Sequence, residues 1–172
     1  MKKTILTLSA IAFLAVSCNN NPSTTSDEQS ASSANTEASV DNAGTDENDG
    51  ADITINAGDD MKYDLSEIRV KEGEKVTITL RHTGKLAKEA MGHNFVLLAQ
   101  GTSIADFTAK AIQASTSDYI PAGDNAVLAH TKLVGGGESD TIEFTAPAKG
   151  TYDFICSFPG HAAMMNGKFI VE

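Results

Sequence analysis

The sequence is poor in cysteine, in basic residues and in long apolar runs. Its two cysteines are Cys18 and Cys156, so a folded domain that retains only Cys156 has no partner for an internal disulfide bond. Thirteen basic residues against 23 acidic ones give a net charge of -10, which argues against nucleic acid as a partner. The one extended apolar stretch, from Ile5 to Val16, is too short to span a bilayer.

That apolar stretch belongs to a predicted export signal over residues 1–17. It follows Lys2 and Lys3 and ends in small residues before Cys18. The segment AVSC, which ends at Cys18, resembles a bacterial lipobox and predicts lipidation of this cysteine. We therefore expect a periplasm-facing protein that is tethered by lipid to a membrane of the cell envelope. Asn19, which follows the cysteine, is compatible with sorting to the outer membrane. An ordinary cleaved signal with an incidental cysteine is the alternative.

Residues 18–51 are predicted to form the lipidated cysteine and a disordered acidic linker. Between Asn19 and Ala51 there is no aromatic residue, lysine or arginine, and Val40 is the only large aliphatic residue. Such a segment cannot bury enough apolar surface to offset the entropy of ordering it. Its average reach is about 30 Å. Seven acidic residues lie in it, so once the signal and the linker are set aside the remaining chain has a net charge of only about -5.

Residues 52–172 are predicted to form one domain, long enough for a single hydrophobic core. One segment shows helical spacing, behind a candidate cap at Ser103; its apolar face is predicted to consist of Ile104, Phe107, Ala111 and Ile112. About eight short strands with one inserted helical segment predict an all-β, antiparallel Greek-key β-sandwich. The strand segments, recognised by alternation and by the Gly, Asp, Asn and Pro residues between them, are Ile53 to Asn56, Glu67 to Val70, Lys75 to His82, Asn94 to Ala99, Val127 to Val134, Ser139 to Ala146, Thr151 to Ser157 and Gly167 to Glu172.

The most specific pattern is a set of soft metal ligands. Cys156, His161 and Met165 fall within ten residues of each other, and the tripeptide GHN supplies His93 from far upstream. A thiolate and two imidazoles with a weak axial thioether are the ligands that suit copper as it cycles between two oxidation states. Zinc also accepts Cys and His and remains an alternative. A buried inert cysteine would explain Cys156 but none of the spacing.

The segments MGHNFVLL (Met91 to Leu98), LAHTKLVGGGESD (Leu128 to Asp140) and YDFICSFPGHAAMMNGKFIVE (from Tyr152) resemble the azurins, within the cupredoxin family of blue copper proteins. The resemblance covers essentially the whole domain and implies one type 1 copper ion that alternates between Cu(I) and Cu(II). The implied equatorial ligands are His93, Cys156 and His161. Met165 is the implied axial thioether, and the backbone carbonyl of Gly92 is a distant second axial group.

The resemblance also implies roles around the metal. Asn94 ties the two ligand segments together, and the amide of Phe158 donates a hydrogen bond to the sulfur. The edge of His161 reaches a partner-docking patch, which we define as Met61, Met91, Phe158, Pro159 and Ala162.

Four further residues carry expectations of their own. Met164 is expected to pack against the loop, His82 to be a core residue and His130 to be solvated. The domain departs from azurins in lacking their N-terminal disulfide and in having Phe95 where they often have tryptophan.

These features predict an electron carrier and exclude most enzymes. A copper oxidase or nitrite reductase needs further histidine-rich centres, for which His82 and His130 are too few, and a binuclear centre needs two cysteines close together. The predicted function is one-electron transfer between redox proteins of the envelope, such as c-type cytochromes, with no small-molecule substrate. A copper carrier or scavenger that hands the ion to another envelope protein is the alternative.

Overall fold

The computed structural model describes residues 50–172, which form eight strands in two sheets. The predicted signal, Cys18 and the predicted linker up to Asp49 lie outside the described residues. No helix within residues 50–172 has the length and apolar character needed to cross a membrane.

The strands divide three to five between the sheets. The smaller sheet has the order β1 (Ala51–Ala57), β3 (Lys75–His82) and β6 (Ser139–Thr145). The larger sheet has the order β2 (Glu67–Val70), β8 (Asn166–Val171), β7 (Gly150–Ile155), β4 (Val96–Leu98) and β5 (Val127–His130). The all-β Greek-key sandwich of eight strands is therefore confirmed.

Alternation along the strands places the core between the sheets. In β3 the side chains of Val76, Ile78 and Leu80 are fully buried, while the residues between them are partly exposed, as a period of two requires. They pack in one cluster with Phe154 and Phe169 from the opposite sheet. The cluster also includes Cys156 and Met165, so the predicted metal ligands border the main core.

The strand directions differ from the predicted antiparallel arrangement. Strand β1 pairs with β3 in parallel, and β2 pairs with β8 in parallel, whereas the remaining pairs are antiparallel. The reason is that β2 lies in the other sheet. The chain leaves the first sheet after β1 and returns to it running in the same direction, which makes the β1–β3 pair parallel.

Helical structure lies in two places. Helix α1 (Lys88–Met91) is a single turn that periodicity did not reveal, and α2 (Ile104–Ala111) is the predicted insertion. The side chain of Ser103 caps α2 by accepting a hydrogen bond from the Asp106 amide at 3.2 Å. A 3₁₀ segment (Ile112–Ser117) follows; we call α2 and this segment the helical flap. Ile112, assigned to the apolar face by spacing, is 49% exposed because it begins the 3₁₀ segment.

Three strands are shorter than predicted next to the candidate site. Strand β7 ends at Ile155 rather than Ser157. Strand β4 begins at Val96 rather than Asn94, and β5 ends at His130 rather than Val134. Between them, Thr131 accepts a hydrogen bond from the Phe95 amide at 2.9 Å through its side chain, in place of a regular ladder bond. His93 and Val134 then form an isolated bridge. This irregular pairing fixes the backbone of His93 beyond the end of the sheet.

Candidate metal centre

Four predicted ligands come from two segments of the chain. His93 lies between α1 and β4, whereas Cys156, His161 and Met165 lie in the connection from β7 to β8. The candidate ligand atoms of His93, Cys156 and His161 all lie within 4.8 Å of one another. His93, Cys156 and Met165 are fully buried, and His161 is 4% exposed. The site is therefore closed to bulk water.

A turn in the ligand loop brings His161 back towards Cys156. The His161 amide donates to the Phe158 carbonyl at 3.0 Å, and Gly160 has a φ of 83°. Proline at the second position and glycine with positive φ at the third are the residues that a type II turn requires. The sequence FPGH thus encodes the turn directly.

A second turn positions Met165. The His161 carbonyl accepts from the Met165 amide at 2.8 Å, and the Cys156 amide donates to the Met165 carbonyl at 3.0 Å. Cys156 and Met165 therefore face each other across the mouth of the β7–β8 hairpin. The gaps of four residues from cysteine to histidine and three from histidine to methionine match these two turns.

The His93 ring has one nitrogen whose partner is missing. Its Nε2 lies 2.9 Å from the Gly58 carbonyl oxygen, which can only accept, so Nε2 carries the proton and donates. Its Nδ1 is then an unprotonated acceptor, and it is buried without a hydrogen-bond partner among residues 50–172. Buried polar atoms are rarely left unpaired. An unprotonated nitrogen beside a thiol and a second imidazole fits a metal ion. The hydrogen bond that Nε2 donates to the Gly58 carbonyl holds the ring in this orientation, as is usual for histidines that bind metals.

Burial makes the site neutral without a metal. It raises the pKa of the Cys156 thiol to about 11, although the backbone amides of Asn94 and Phe158 donate to the sulfur and oppose this. Burial lowers the pKa of His161 to about 4, helped by the neighbouring His93, and it also lowers the pKa of His93. At neutral pH the site therefore holds a thiol and two neutral imidazoles, and only the thiol must lose a proton to bind a metal.

Gly92 lies where the backbone passes very close to its neighbours. A Cβ atom at this position would be 2.5 Å from the Lys88 carbonyl oxygen and 2.8 Å from the Leu133 side chain. Only glycine fits such an approach. The Gly92 carbonyl oxygen lies 3.9 Å from the Cys156 sulfur, which places it at the site as a distant group.

Asn94 connects three segments through a fully buried side chain. Its Oδ1 accepts from the Ser157 amide at 2.8 Å, and its Nδ2 donates to the Ser157 hydroxyl at 2.8 Å. The same Nδ2 donates to the Asp118 carbonyl at 2.9 Å. Asn94 thus joins the His93 segment, the ligand loop and the end of the helical flap.

The predicted docking patch is only partly exposed. Met61, Met91, Phe158 and Pro159 are half-buried, and the Phe158 ring rests on His161 with centroids 4.6 Å apart. Ala162 was expected to face solvent, but it is 8% exposed because it packs in a second core cluster beneath the helical flap.

The remaining predictions concern one methionine and two histidines. Met164 was expected to pack, but it is 59% exposed, whereas Met165 turns inward. His82 is a core residue, as predicted: it is 2% exposed, stacks on His93 at 4.5 Å and donates through Nε2 to the Met91 carbonyl at 2.8 Å. His130 is exposed, as predicted.

Several residues that shape the site were missed. Gly58 orients His93, Ser157 completes the contacts of Asn94, and Tyr63 donates to the Asn94 carbonyl at 2.5 Å. Gly58 and Tyr63 come from the segment after β1, far from the ligands in sequence, and no motif marks them. Ser157 directly follows Cys156, so its position gave the only available signal.

Comparison with known proteins gives a consistent result. Residues 50–172 match the family model described as copper binding proteins, plastocyanin/azurin family. The chain is 44% identical over 120 residues to azurin-2 of Alcaligenes xylosoxydans xylosoxydans, an alignment that covers 67% of this chain and 93% of that protein.

It is also 41% identical over 119 residues to outer membrane protein H.8 of Neisseria gonorrhoeae, covering 67% and 64%. Among solved structures, dithionite-reduced auracyanin of Roseiflexus castenholzii matches with a TM-score of 0.65 and 38% identity, covering 72% of this chain and 99% of that one.

Proposed function

Because this chain belongs to the plastocyanin/azurin family of copper-binding proteins, we propose that it carries single electrons between redox proteins through one type 1 copper ion. The cofactor of this family is copper, which supplies the chemistry by alternating between Cu(I) and Cu(II). His93, Cys156 and His161 would hold the ion, and the Met165 thioether and the Gly92 carbonyl would be weaker, more distant ligands. We propose no catalytic role.

The observation that carries the proposal is the buried cluster of three ligand atoms with an unpartnered nitrogen. A buried polar atom without a partner costs free energy. Within residues 50–172 the Nδ1 of His93 has no hydrogen-bond partner, and it lies beside the Cys156 sulfur and the His161 ring. The donor set of thiolate, imidazoles and thioether favours copper over metals that prefer oxygen ligands.

The surrounding residues suit electron transfer because they resist rearrangement. The His93 ring is held by Gly58, the ligand loop is held by Asn94, and the hairpin fixes Cys156 opposite Met165. A site that keeps one geometry in both oxidation states needs little reorganisation when an electron arrives. The amides of Asn94 and Phe158 donate to the sulfur, so they withdraw electron density and favour the reduced state.

The closed site also argues for retention of copper rather than delivery. Every proposed ligand side chain is at most 4% exposed, so an acceptor has no direct access to the ion. We expect electron self-exchange, followed by line broadening in mixtures of reduced and oxidised protein, to be much faster than copper loss to an excess of a high-affinity Cu(I) chelator. Rapid loss of copper with slow self-exchange would instead support the copper carrier.

We propose that partners dock transiently over His161, on the exposed parts of Met61, Met91, Phe158 and Pro159. Redox encounters of this kind use small interfaces. A charge introduced by Met91→Lys should slow electron transfer with an envelope electron carrier such as a c-type cytochrome. The matched control is Leu128→Lys, which adds the same charge at an apolar residue of β5 that is 43% exposed and lies outside the patch.

Met91→Lys should leave the visible absorption of the copper protein unchanged, because Met91 is not a proposed ligand. Equal partner rates for the two lysine variants would count against the patch.

The proposed setting is the cell envelope. We propose a signal over residues 1–17, lipidation of Cys18, a linker up to Ala51 and a copper domain over residues 52–172. A relative named as an outer membrane protein supports an envelope location. Labelling with a radioactive or alkyne-tagged fatty acid should mark the wild-type protein and not Cys18→Ser; equal labelling of both would oppose lipidation.

A further inference from the structure

Two consecutive residues at the end of the helical flap adopt left-handed backbone conformations. Asp118 has a φ of 54° and Tyr119 a φ of 60°, and neither is glycine. The left-handed region is tolerated by aspartate but is unfavourable for a bulky aromatic residue. Such strain persists only where the surrounding structure holds it, and it is concentrated at functional sites.

One contact that holds this strain comes from the candidate metal centre and another from the helical flap itself. The buried side chain of Asn94 donates to the Asp118 carbonyl at 2.9 Å, and the Tyr119 amide donates to the Ala114 carbonyl at 3.0 Å. The first bond ties the backbone of Asp118 to the segment that carries His93. The second ties Tyr119 to the 3₁₀ segment. Together they fix the direction in which the Tyr119 side chain leaves the backbone.

The Tyr119 ring contacts the ligand loop at Phe158. It packs edge-on against the Phe158 ring, with centroids 5.2 Å apart and planes at 69°, a favourable geometry for an aromatic pair. Phe158 also packs on His161, and the centroids of these two rings lie 4.6 Å apart. The Phe158 carbonyl accepts a hydrogen bond from the His161 amide at 3.0 Å. Phe158 is thus held between the helical flap and the proposed ligand His161.

From these contacts we propose that Tyr119 is a positioning residue for the metal centre: its ring holds Phe158 in place, and Phe158 in turn holds the ring and the backbone amide of His161. The role of His161 as a metal ligand rests on the proposed function, but the contact between Tyr119 and Phe158 is a property of the metal-free chain. Loss of the Tyr119 ring loosens the hydrogen bond between the His161 amide and the Phe158 carbonyl and lets the His161 ring move. The helical flap thereby contributes to the site without supplying a ligand.

The test uses two substitutions that keep the backbone strain. Tyr119→Leu removes the ring and retains apolar bulk, whereas Tyr119→Phe retains the ring and removes the hydroxyl. Amide hydrogen exchange is measured in the full metal-free protein at His161, whose amide donates to the Phe158 carbonyl, and, as a reference for global unfolding, at Ile78 in the central strand β3. The ratio of the two rates reports local opening alone. If Tyr119→Leu does not accumulate, Tyr119→Met provides the same loss of the ring.

Tyr119→Leu should raise the His161 to Ile78 exchange ratio roughly 3- to 10-fold, the range expected for loss of an aromatic pair. Tyr119→Phe should leave it within about 2-fold. An unchanged ratio in Tyr119→Leu overturns the proposal and leaves Tyr119 as a filler of the second core cluster. An equal rise in both variants also overturns it, since the hydroxyl would then be responsible.

Copper-loaded protein supplies the second readout. Tyr119→Leu should shift both the visible absorption maximum and the reduction potential relative to wild type and to Tyr119→Phe. If Tyr119→Leu changes exchange but not the spectrum or potential, the claim of positioning for the metal is wrong. Failure of the proposed function is separate: it would show as wild-type protein without thiolate-dependent colour, whatever the exchange ratios.

Discussion

Removal of the Asn94 side chain tests how the two ligand segments are held together. Asn94→Ala deletes three hydrogen bonds of 2.8, 2.8 and 2.9 Å from a fully buried position. A hydrogen bond contributes about 0.5 to 1.5 kcal/mol net, and a buried group left without a partner costs about 1 to 3 kcal/mol. The Ser157 amide, in a residue 1% exposed, loses its acceptor. We expect the free energy of unfolding of metal-free protein to fall by about 3 to 5 kcal/mol.

Urea titration of metal-free wild type and variant measures this loss. The matched control is Asn166→Ala, which deletes bonds to the Ala162 and Ala163 carbonyls from an exposed position at the start of β8, next to the ligand loop. Exposed sites of this kind change stability by about 0.5 kcal/mol or less. The copper-loaded Asn94 variant should also have a lower reduction potential. A stability loss equal to that of the control, with the potential unchanged, would refute the account of Asn94 as the connection between the segments.

Two predictions follow from the electrostatics of the site. The pKa of Cys156 is raised to about 11, and both proposed histidine ligands are neutral at pH 7. Copper loading at pH 7 should therefore release about one proton, which calorimetry in buffers of different ionisation enthalpy measures. Release of no proton, or of two, would contradict this protonation state. The pKa of His161 falls to about 4 from its ordinary 6.5, so below pH 6.5 the unfolded state binds the proton first and metal-free protein should lose stability between pH 6.5 and 4. His161→Gln should flatten this dependence, and an equally steep loss in that variant would exclude His161 as its source.

The sequence was most informative where local chemistry determines the structure. Alternation in β3 predicted its bounds and its buried face, and the FPGH sequence encodes the turn that returns His161 to Cys156. The ligand spacing predicted which residues meet because two short turns and a hairpin leave few other arrangements.

What could not be predicted depends on long-range contacts. The parallel pairing of β1 with β3 depends on which sheet β2 joins, which no local pattern specifies. Tyr63 reaches the Asn94 carbonyl across 31 residues of sequence, and the left-handed backbone of Asp118 accompanies a hydrogen bond from Asn94, 24 residues away in sequence. Ile112 and Ala162 were misplaced for the same reason: residue type and spacing give a preferred face, but neighbouring segments decide exposure.

The central claim is that the Cys156 sulfur binds copper directly. Visible absorption and electron-spin spectra of the protein loaded with one Cu(II), compared with those of Cys156→Ser, test it most directly, since serine keeps the size of the side chain and removes the thiolate. The account predicts an intense visible colour in the wild type that is lost in the variant. A wild type that binds copper and stays pale, or a variant that is equally coloured, would contradict it.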